Sequence, residues 1–136
     1  MVAGVEAASR YDELRRVIDR NTGFAHMTRG MNMYTLIALR SCVGELDLPV
    51  LRRMLFDGDY VTQLSAAGVL VDMGAGGRAA LASALSEAAD ARTRDTIRDA
   101  LRESDDPQRR PLAAYPLSER ERRGIRGCGS LGRRAS

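Results

Sequence analysis

Apolar residues along the chain recur at intervals of three and four positions, which is the period of an amphipathic helix. In the first such stretch Ala7, Tyr11, Leu14 and Ile18 share one stripe, and we predict a helix over residues 6–20. The same pattern predicts helices over residues 31–46, 60–73, 78–88 and 91–103, with a short helix starting at Asp47-Leu48-Pro49. No segment shows a convincing strand pattern, so the pattern predicts an all-α fold.

Two local features refine this assignment. The helix over residues 31–46 is apolar on more than one face, which is typical of a helix that lies between neighbours. Asp47, Asp59 and Asp90 each precede a predicted helix. A carboxylate at that position accepts hydrogen bonds from the free N–H groups of the first turn, so we predict that all three are N-caps.

An internal repeat links three of the predicted helices. Each contains a threonine followed by apolar residues four and eight positions later, and the copies begin at Thr35, Thr62 and Thr93. The first two copies add an apolar residue three positions further on, Leu46 and Met73. In the intervening helices, Leu51 and Leu55 are matched by Leu81 and Leu85. A period of about 30 residues built from two helices is typical of a helical solenoid, in which each pair covers the apolar face of the next.

Residues 48–103 resemble HEAT repeats, in the short bacterial form similar to the phycobilisome-lyase HEAT-like type. The residues that carry the resemblance are Leu51, Leu55, Asp57, Asp59, Ala66, Leu70, Met73, Gly74, Leu81, Leu85, Asp90, Arg94, Ile97 and Leu101. Where the family often has Val-Arg, this chain has Thr62-Gln63 and Thr93-Arg94. The resemblance implies a short right-handed α-solenoid of antiparallel helix pairs, which we place over residues 1–106. It also implies a concave face that binds partners, and it specifies no chemistry.

Charge is distributed unevenly along the chain. All 21 basic residues are arginine. Residues 1–106 carry 13 arginines against 16 acidic residues, whereas residues 107–136 carry 8 arginines against 2 acidic residues. The second segment lacks an apolar period, although Ser118 and Glu121 have the spacing of a capping box. We therefore predict a flexible basic tail over residues 107–136 that adds salt-sensitive attraction to nucleic acid or to an acidic partner.

Candidate catalytic and metal-binding residues are few. His26 is the single histidine, which is too few for a His-based zinc site or an acid–base pair. Asp57 and Asp59 resemble the start of a calcium loop but lack its other ligands, and the glycine-rich residues 74–77 lack the other parts of a P-loop. Cys42 is interpreted as a small buried apolar side chain in a reducing, cytoplasmic setting. We expect no metal and no cofactor.

The predicted inner surface carries the candidate binding residues. Positions one and five after each repeated threonine turn away from the threonine stripe. Among them we select Arg40, Gln63, Arg94 and Arg98. The sequence predicts a non-catalytic protein–protein interaction module that uses this concave face.

Two alternatives remain open. The first is a nucleic-acid-binding module that uses Arg40, Arg94 and Arg98 with the basic tail, and the second is a lyase-like enzyme subunit. The exposed ends of a short repeat array also predict self-association. No apolar run reaches the roughly 18 residues of a membrane span, so we expect no membrane contact.

Overall fold

The computed structural model of the chain describes residues 2–22, 33–57 and 59–126. These residues form seven α-helices and no strand, so the predicted all-α class is confirmed. The helices are α1 (Val2–Thr22), α2 (Met33–Cys42), α3 (Leu48–Met54), α4 (Tyr60–Asp72), α5 (Gly74–Glu87), α6 (Ala91–Ser104) and α7 (Glu119–Gly124). Two 3-10 turns cover Glu45–Asp47 and Leu112–Ala114.

The chain divides into two compact units. The central unit is Gly44–Pro111, and the terminal unit combines Met1–Val43 with Leu112–Ser136. Residues 24–30, which include His26, and the second cysteine, Cys128, lie outside the described residues. None of the described helices has the length and apolarity needed to cross a bilayer.

In the central unit, four helices pack around one apolar core. Helix α3 packs against α4 and α5, α4 packs against α5 and α6, and α5 packs against α6. The interior is formed by Val50, Leu51, Met54, Leu55, Ala66, Val69, Leu70, Leu81, Ala84 and Ile97. Leu51 and Leu81, which the repeat predicts to be equivalent, are both fully buried. Burial of aliphatic side chains such as these is the main force that holds the four helices together.

The repeated threonines are all interior residues. Thr35, Thr62 and Thr93 are 1%, 0% and 2% exposed, so the pattern identifies three equivalent buried positions. Leu46, which the pattern also makes an interior position, is 96% exposed. The prediction for Leu46 is wrong because α2 ends at Cys42, and Leu46 falls in the 3-10 turn that follows.

Two of the three predicted aspartate caps are present. An Asp59 carboxylate oxygen accepts a hydrogen bond from the Val61 N–H at 3.0 Å, and Asp90 accepts one from the Thr93 N–H at 3.0 Å. Asp47 does not cap α3, so that prediction is wrong. Its carboxylate instead accepts the Gly44 N–H at 3.0 Å, which closes the preceding 3-10 turn.

Helix α5 begins at Gly74, earlier than the predicted start at residue 78. Gly74 has a φ of +71°, which lets the chain turn sharply between α4 and α5. At Gly77 an added Cβ would lie 1.9 Å from the carbonyl oxygen of Leu70 in α4. Gly77 therefore lies where α5 approaches α4 too closely for a larger residue.

In the terminal unit, α1 packs against α2 and the C-terminal segment adds to them. Leu14, Val17 and Ile18 of α1 and Leu36 and Leu39 of α2 are buried. The 3-10 turn at Leu112–Ala114 packs against α2, and Leu112 is 8% exposed.

The C-terminal segment of the described chain is residues 112–126, and it carries the predicted capping box. The Ser118 hydroxyl oxygen accepts the Glu121 N–H at 3.0 Å, and the Glu121 carboxylate accepts the Ser118 N–H at 2.8 Å. The described residues beyond the predicted boundary at residue 106 include residues 112–126, which pack with α1 and α2.

Cys42 differs from its interpretation. It is 4% exposed, so its burial is confirmed. It is also disulfide-bonded, which the interpretation as a purely apolar side chain did not include.

Candidate functional sites

Gln63 is an interior residue and cannot contact a partner, although the sequence places it on the inner surface. It is 2% exposed. Its Nε2 donates to the Leu55 carbonyl at 2.9 Å and to the Thr93 hydroxyl at 3.0 Å. The Thr93 hydroxyl donates in turn to the Asp90 carboxylate at 2.8 Å. Gln63 therefore connects the end of α3 to the first turn of α6.

Of the two predicted arginines on α6, one has a structural role and the other is a surface residue. Arg94 is half-buried, and its guanidinium donates to the carbonyls of Ala88 and Ala89 at 3.3 and 2.6 Å. Arg94 thus satisfies backbone groups in the connection between α5 and α6. Arg98 is exposed and lies 3.8 Å from the Asp95 carboxylate. Only Arg98 of this pair is placed to meet a partner.

Arg40 belongs to the terminal unit, whereas Gln63, Arg94 and Arg98 belong to the central unit. The Arg40 guanidinium donates to the Val43 carbonyl at 3.2 Å and is half-buried. It therefore supports the chain where α2 ends. The four predicted residues are not shown to form one surface.

A different group of residues in the central unit has the composition of a binding surface. Phe56, Tyr60 and Val61 are 40%, 47% and 36% exposed, and they lie at the turn between α3 and α4. The Arg52 guanidinium lies 5.7 Å from the Phe56 ring centroid, and that of Arg92 lies 5.3 Å from the Tyr60 centroid. We call these five residues the aromatic patch. Exposed aromatic rings with adjacent arginines are typical of the residues that dominate protein–protein binding energy.

Arg52 is held in place by partners on the neighbouring helix. It pairs with the Glu87 carboxylate and donates to the Ser83 hydroxyl at 3.3 Å, and both residues lie on α5. Because these contacts fix the guanidinium, less side-chain entropy is lost when a partner covers it. The periodicity of single helices missed the aromatic patch because its members come from α3, the turn after it, the start of α4 and α6.

Most other arginines of the central unit are neutralised by acidic residues. The closest pairs are Arg78–Asp105 at 2.9 Å, Arg102–Asp99 at 2.9 Å and Arg109–Asp72 at 3.2 Å. The hydrogen bond from Arg78 lowers the pKa of Asp105 below its ordinary value. The pKa of Asp90 is also lowered, because its carboxylate accepts from the Thr93 N–H and hydroxyl.

The terminal unit contains a second candidate site, a pocket of about 290 Å³ beside α7. Its lining includes Tyr34, Arg120, Glu121 and Gly124. The Tyr34 hydroxyl donates to the Glu121 carboxylate at 2.5 Å. This hydrogen bond raises the pKa of Tyr34 and lowers that of Glu121, so the pocket contains an ionised carboxylate next to a neutral phenol.

A buried amide fixes the chain immediately after α7. Asn21 is 0% exposed, and its Nδ2 donates to the carbonyls of Val17 and Arg126 at 2.8 and 2.7 Å. Its Oδ1 accepts the Arg126 N–H at 2.9 Å. Asn21 thus binds the backbone of Arg126 through both a donor and an acceptor, which holds the C-terminal segment on α1.

The structure offers no assembled metal centre in residues 2–22, 33–57 and 59–126, where no group of three or more His, Cys, Asp or Glu residues is placed to hold an ion. The candidate sites are therefore a solvent-exposed aromatic patch and a small pocket with charged walls. A search of protein families, curated proteins and solved structures finds nothing that matches this chain.

Proposed function

We propose that the chain is a protein-docking module whose central unit is a short stack of helix pairs of the HEAT-like kind. The contacts of α3 with α5 and of α4 with α6 support this, since equivalent helices of successive pairs touch in such a stack. The burial of Thr62 and Thr93 at equivalent positions also supports it.

The aromatic patch is the surface that we assign to the partner, and it replaces the inner-surface arginines of the sequence prediction. Exposure of Phe56 and Tyr60, each next to a guanidinium, is the observation that carries the proposal. A matching partner is a protein segment with an apolar side chain for the rings and a carboxylate for exposed Arg92. Such a contact combines apolar burial with a charge-assisted hydrogen bond.

The test compares two variants in affinity capture and then in binding to the purified partner. Truncation of a central interface aromatic costs about 2 kcal/mol or more, so Phe56→Ala and Tyr60→Ala should each weaken binding about 30-fold. Leu46→Ala is the matched control, because Leu46 is an exposed apolar residue of the same unit outside the patch.

The expected result is one protein captured by the wild-type chain and by Leu46→Ala and lost from both patch variants. Circular dichroism should show equal helix content in all four proteins. A partner that binds the patch variants as tightly as the wild type would contradict the proposal. A loss of binding in Leu46→Ala as large as that in the patch variants would also contradict the proposal.

A further inference from the structure

Three of the four arginines of the C-terminal segment differ in their partners from most arginines of the central unit; the fourth, Arg123, pairs with the Glu119 carboxylate at 3.2 Å. Arg78, Arg98 and Arg102 of the central unit each face a carboxylate within 4 Å. Arg120, Arg122 and Arg126 are exposed, and their guanidinium groups have no ion-pair or hydrogen-bond partner within the described part of the chain. A guanidinium without an internal partner keeps all of its donors for an external anion.

The backbone that carries these arginines is held at two points. Glu121 is bound by the Tyr34 hydroxyl, and the Arg126 backbone is bound by Asn21. Helix α7 has six residues and is about 9 Å long, so Arg120 and Arg122 on it and Arg126 just after it lie within one short stretch of chain. A fixed frame lowers the entropy lost on binding, which favours recognition of an extended anionic chain.

The pocket lies beside the same arginines and has a different chemistry. Arg120 lines it together with the Tyr34 side chain and the ionised Glu121 carboxylate. A carboxylate would repel a simple anion, but it accepts hydrogen bonds from the amino groups of cytosine or guanine. An aromatic side chain in such a pocket provides a surface on which a base can stack.

We propose that the C-terminal segment and Tyr34 form a binding site for single-stranded nucleic acid. Arg120, Arg122 and Arg126 bind phosphates of the strand, and the pocket receives one unpaired base, whose exocyclic amino group donates to the Glu121 carboxylate. Bases of a single strand can be splayed into such a pocket, whereas those of a duplex are paired and stacked. The inference is independent of the docking function, which concerns the central unit.

The phosphate contacts are tested by fluorescence anisotropy of the full chain with labelled single-stranded RNA and DNA oligonucleotides. The triple variant Arg120→Gln/Arg122→Gln/Arg126→Gln is compared with Arg78→Gln/Arg98→Gln/Arg102→Gln, which removes the same charge from paired positions. The first should lower affinity at least tenfold and reduce the slope of log K against log salt by about 2, since each phosphate contact on a single strand contributes about 0.7. The second should change affinity less than threefold.

Equal losses of oligonucleotide affinity in the two triple variants would overturn the proposed site, because affinity would then depend on net charge alone. Duplex binding as tight as single-strand binding would also overturn it. An acidic peptide that displaces the oligonucleotide at an equal concentration of charges would show that the arginines select protein carboxylates instead. RNA and DNA single strands both offer phosphates and unpaired bases. The one that the chain binds more tightly is identified as the ligand.

The base contact is tested with homopolymers. The wild-type chain should bind oligo-cytidine more tightly than oligo-uridine by about tenfold, since a good hydrogen-bonded base contact discriminates by that order. Glu121→Gln should reduce this preference to less than threefold. Its salt slope should stay at the wild-type value, which shows that the phosphate contacts persist and that the segment has not detached. No base preference in the wild type would overturn the base pocket.

Discussion

Two threonines at equivalent positions of α4 and α6 have different hydrogen bonding. Both Thr62 and Thr93 are buried. The Thr93 hydroxyl accepts from Gln63 and donates to Asp90. The Thr62 hydroxyl has no hydrogen-bond partner among the described residues. An unsatisfied buried hydroxyl costs free energy, whereas a satisfied one contributes a modest net amount.

The same substitution should therefore have opposite effects at these two positions. Thr62→Val replaces the hydroxyl by a methyl group of similar size and should raise the free energy of unfolding by up to about 1 kcal/mol. Thr93→Val should lower it by about 1–2 kcal/mol, because Gln63 and Asp90 both lose a partner. Urea denaturation of the two variants measures this difference. A destabilisation by Thr62→Val as large as that by Thr93→Val would contradict this difference in hydrogen bonding.

At the scale of single residues, the sequence predicts which side chains are buried better than it predicts their hydrogen-bond partners. Spacing identified Thr35, Thr62 and Thr93 as equivalent because their positions follow from the period of one helix. Gln63 was assigned to the surface by the same reasoning. That assignment failed because its partners, Leu55 and Thr93, come from other parts of the chain. Helix periodicity carries no information about contacts between elements that are far apart in sequence.

At the scale of elements, capping residues decide where several helices begin. Asp59 and Asp90 accept hydrogen bonds from the first turns of α4 and α6, and Ser118 does the same for α7. These three ends were predictable because capping depends on residues within three positions of each other. The start of α5 was not, since glycines at residues 74–77 lower helix propensity. The close approach of α5 to the Leu70 carbonyl requires glycine at residue 77, and this contact between two helices is not visible in the local sequence.

The cap at Asp90 makes stability depend on pH in a defined direction. Its pKa in the folded chain lies below the ordinary value of about 3.9. The charged cap therefore contributes its full stabilisation above about pH 4, and this contribution is lost as pH falls through the lowered pKa. Asp105 adds a change of the same sign, because its pKa is lowered by Arg78.

We predict that Asp90→Asn makes the urea midpoint less dependent on pH. Asparagine keeps an oxygen that accepts from the Thr93 N–H, but it does not titrate. Between pH 5 and pH 2 the midpoint of the variant should fall less steeply than that of the wild type, and Asp105 should account for part of the remaining slope. Parallel curves for the two proteins would contradict the assignment of this titration to the cap.

At the scale of the whole molecule, the two compact units do not follow one another along the chain. The terminal unit includes residues on both sides of the central unit, so no single boundary separates a domain from a tail. Composition predicted a solvated segment after residue 106 because that stretch has few apolar residues. Within the described residues, Glu121 and Arg126 of this stretch are held by hydrogen bonds with Tyr34 and Asn21, respectively. Such specific hydrogen bonds leave no mark on hydrophobic periodicity.

The central claim of this account is that the helix pairs α3/α4 and α5/α6 act as one body that presents the aromatic patch. The hydrogen bond from Gln63 in α4 to Thr93 in α6, at 3.0 Å, is a buried polar connection between the two pairs. If it couples them, the effects of losing either partner on the free energy of unfolding are not additive.

A double-mutant cycle with Gln63→Met and Thr93→Val tests this claim most directly. Unfolding free energies of the wild type, both single variants and the double variant should give a coupling energy of about 1 kcal/mol, with its sign favouring the native pair. Additive effects within about 0.3 kcal/mol would contradict the claim, because the two pairs would then unfold without sensing this contact.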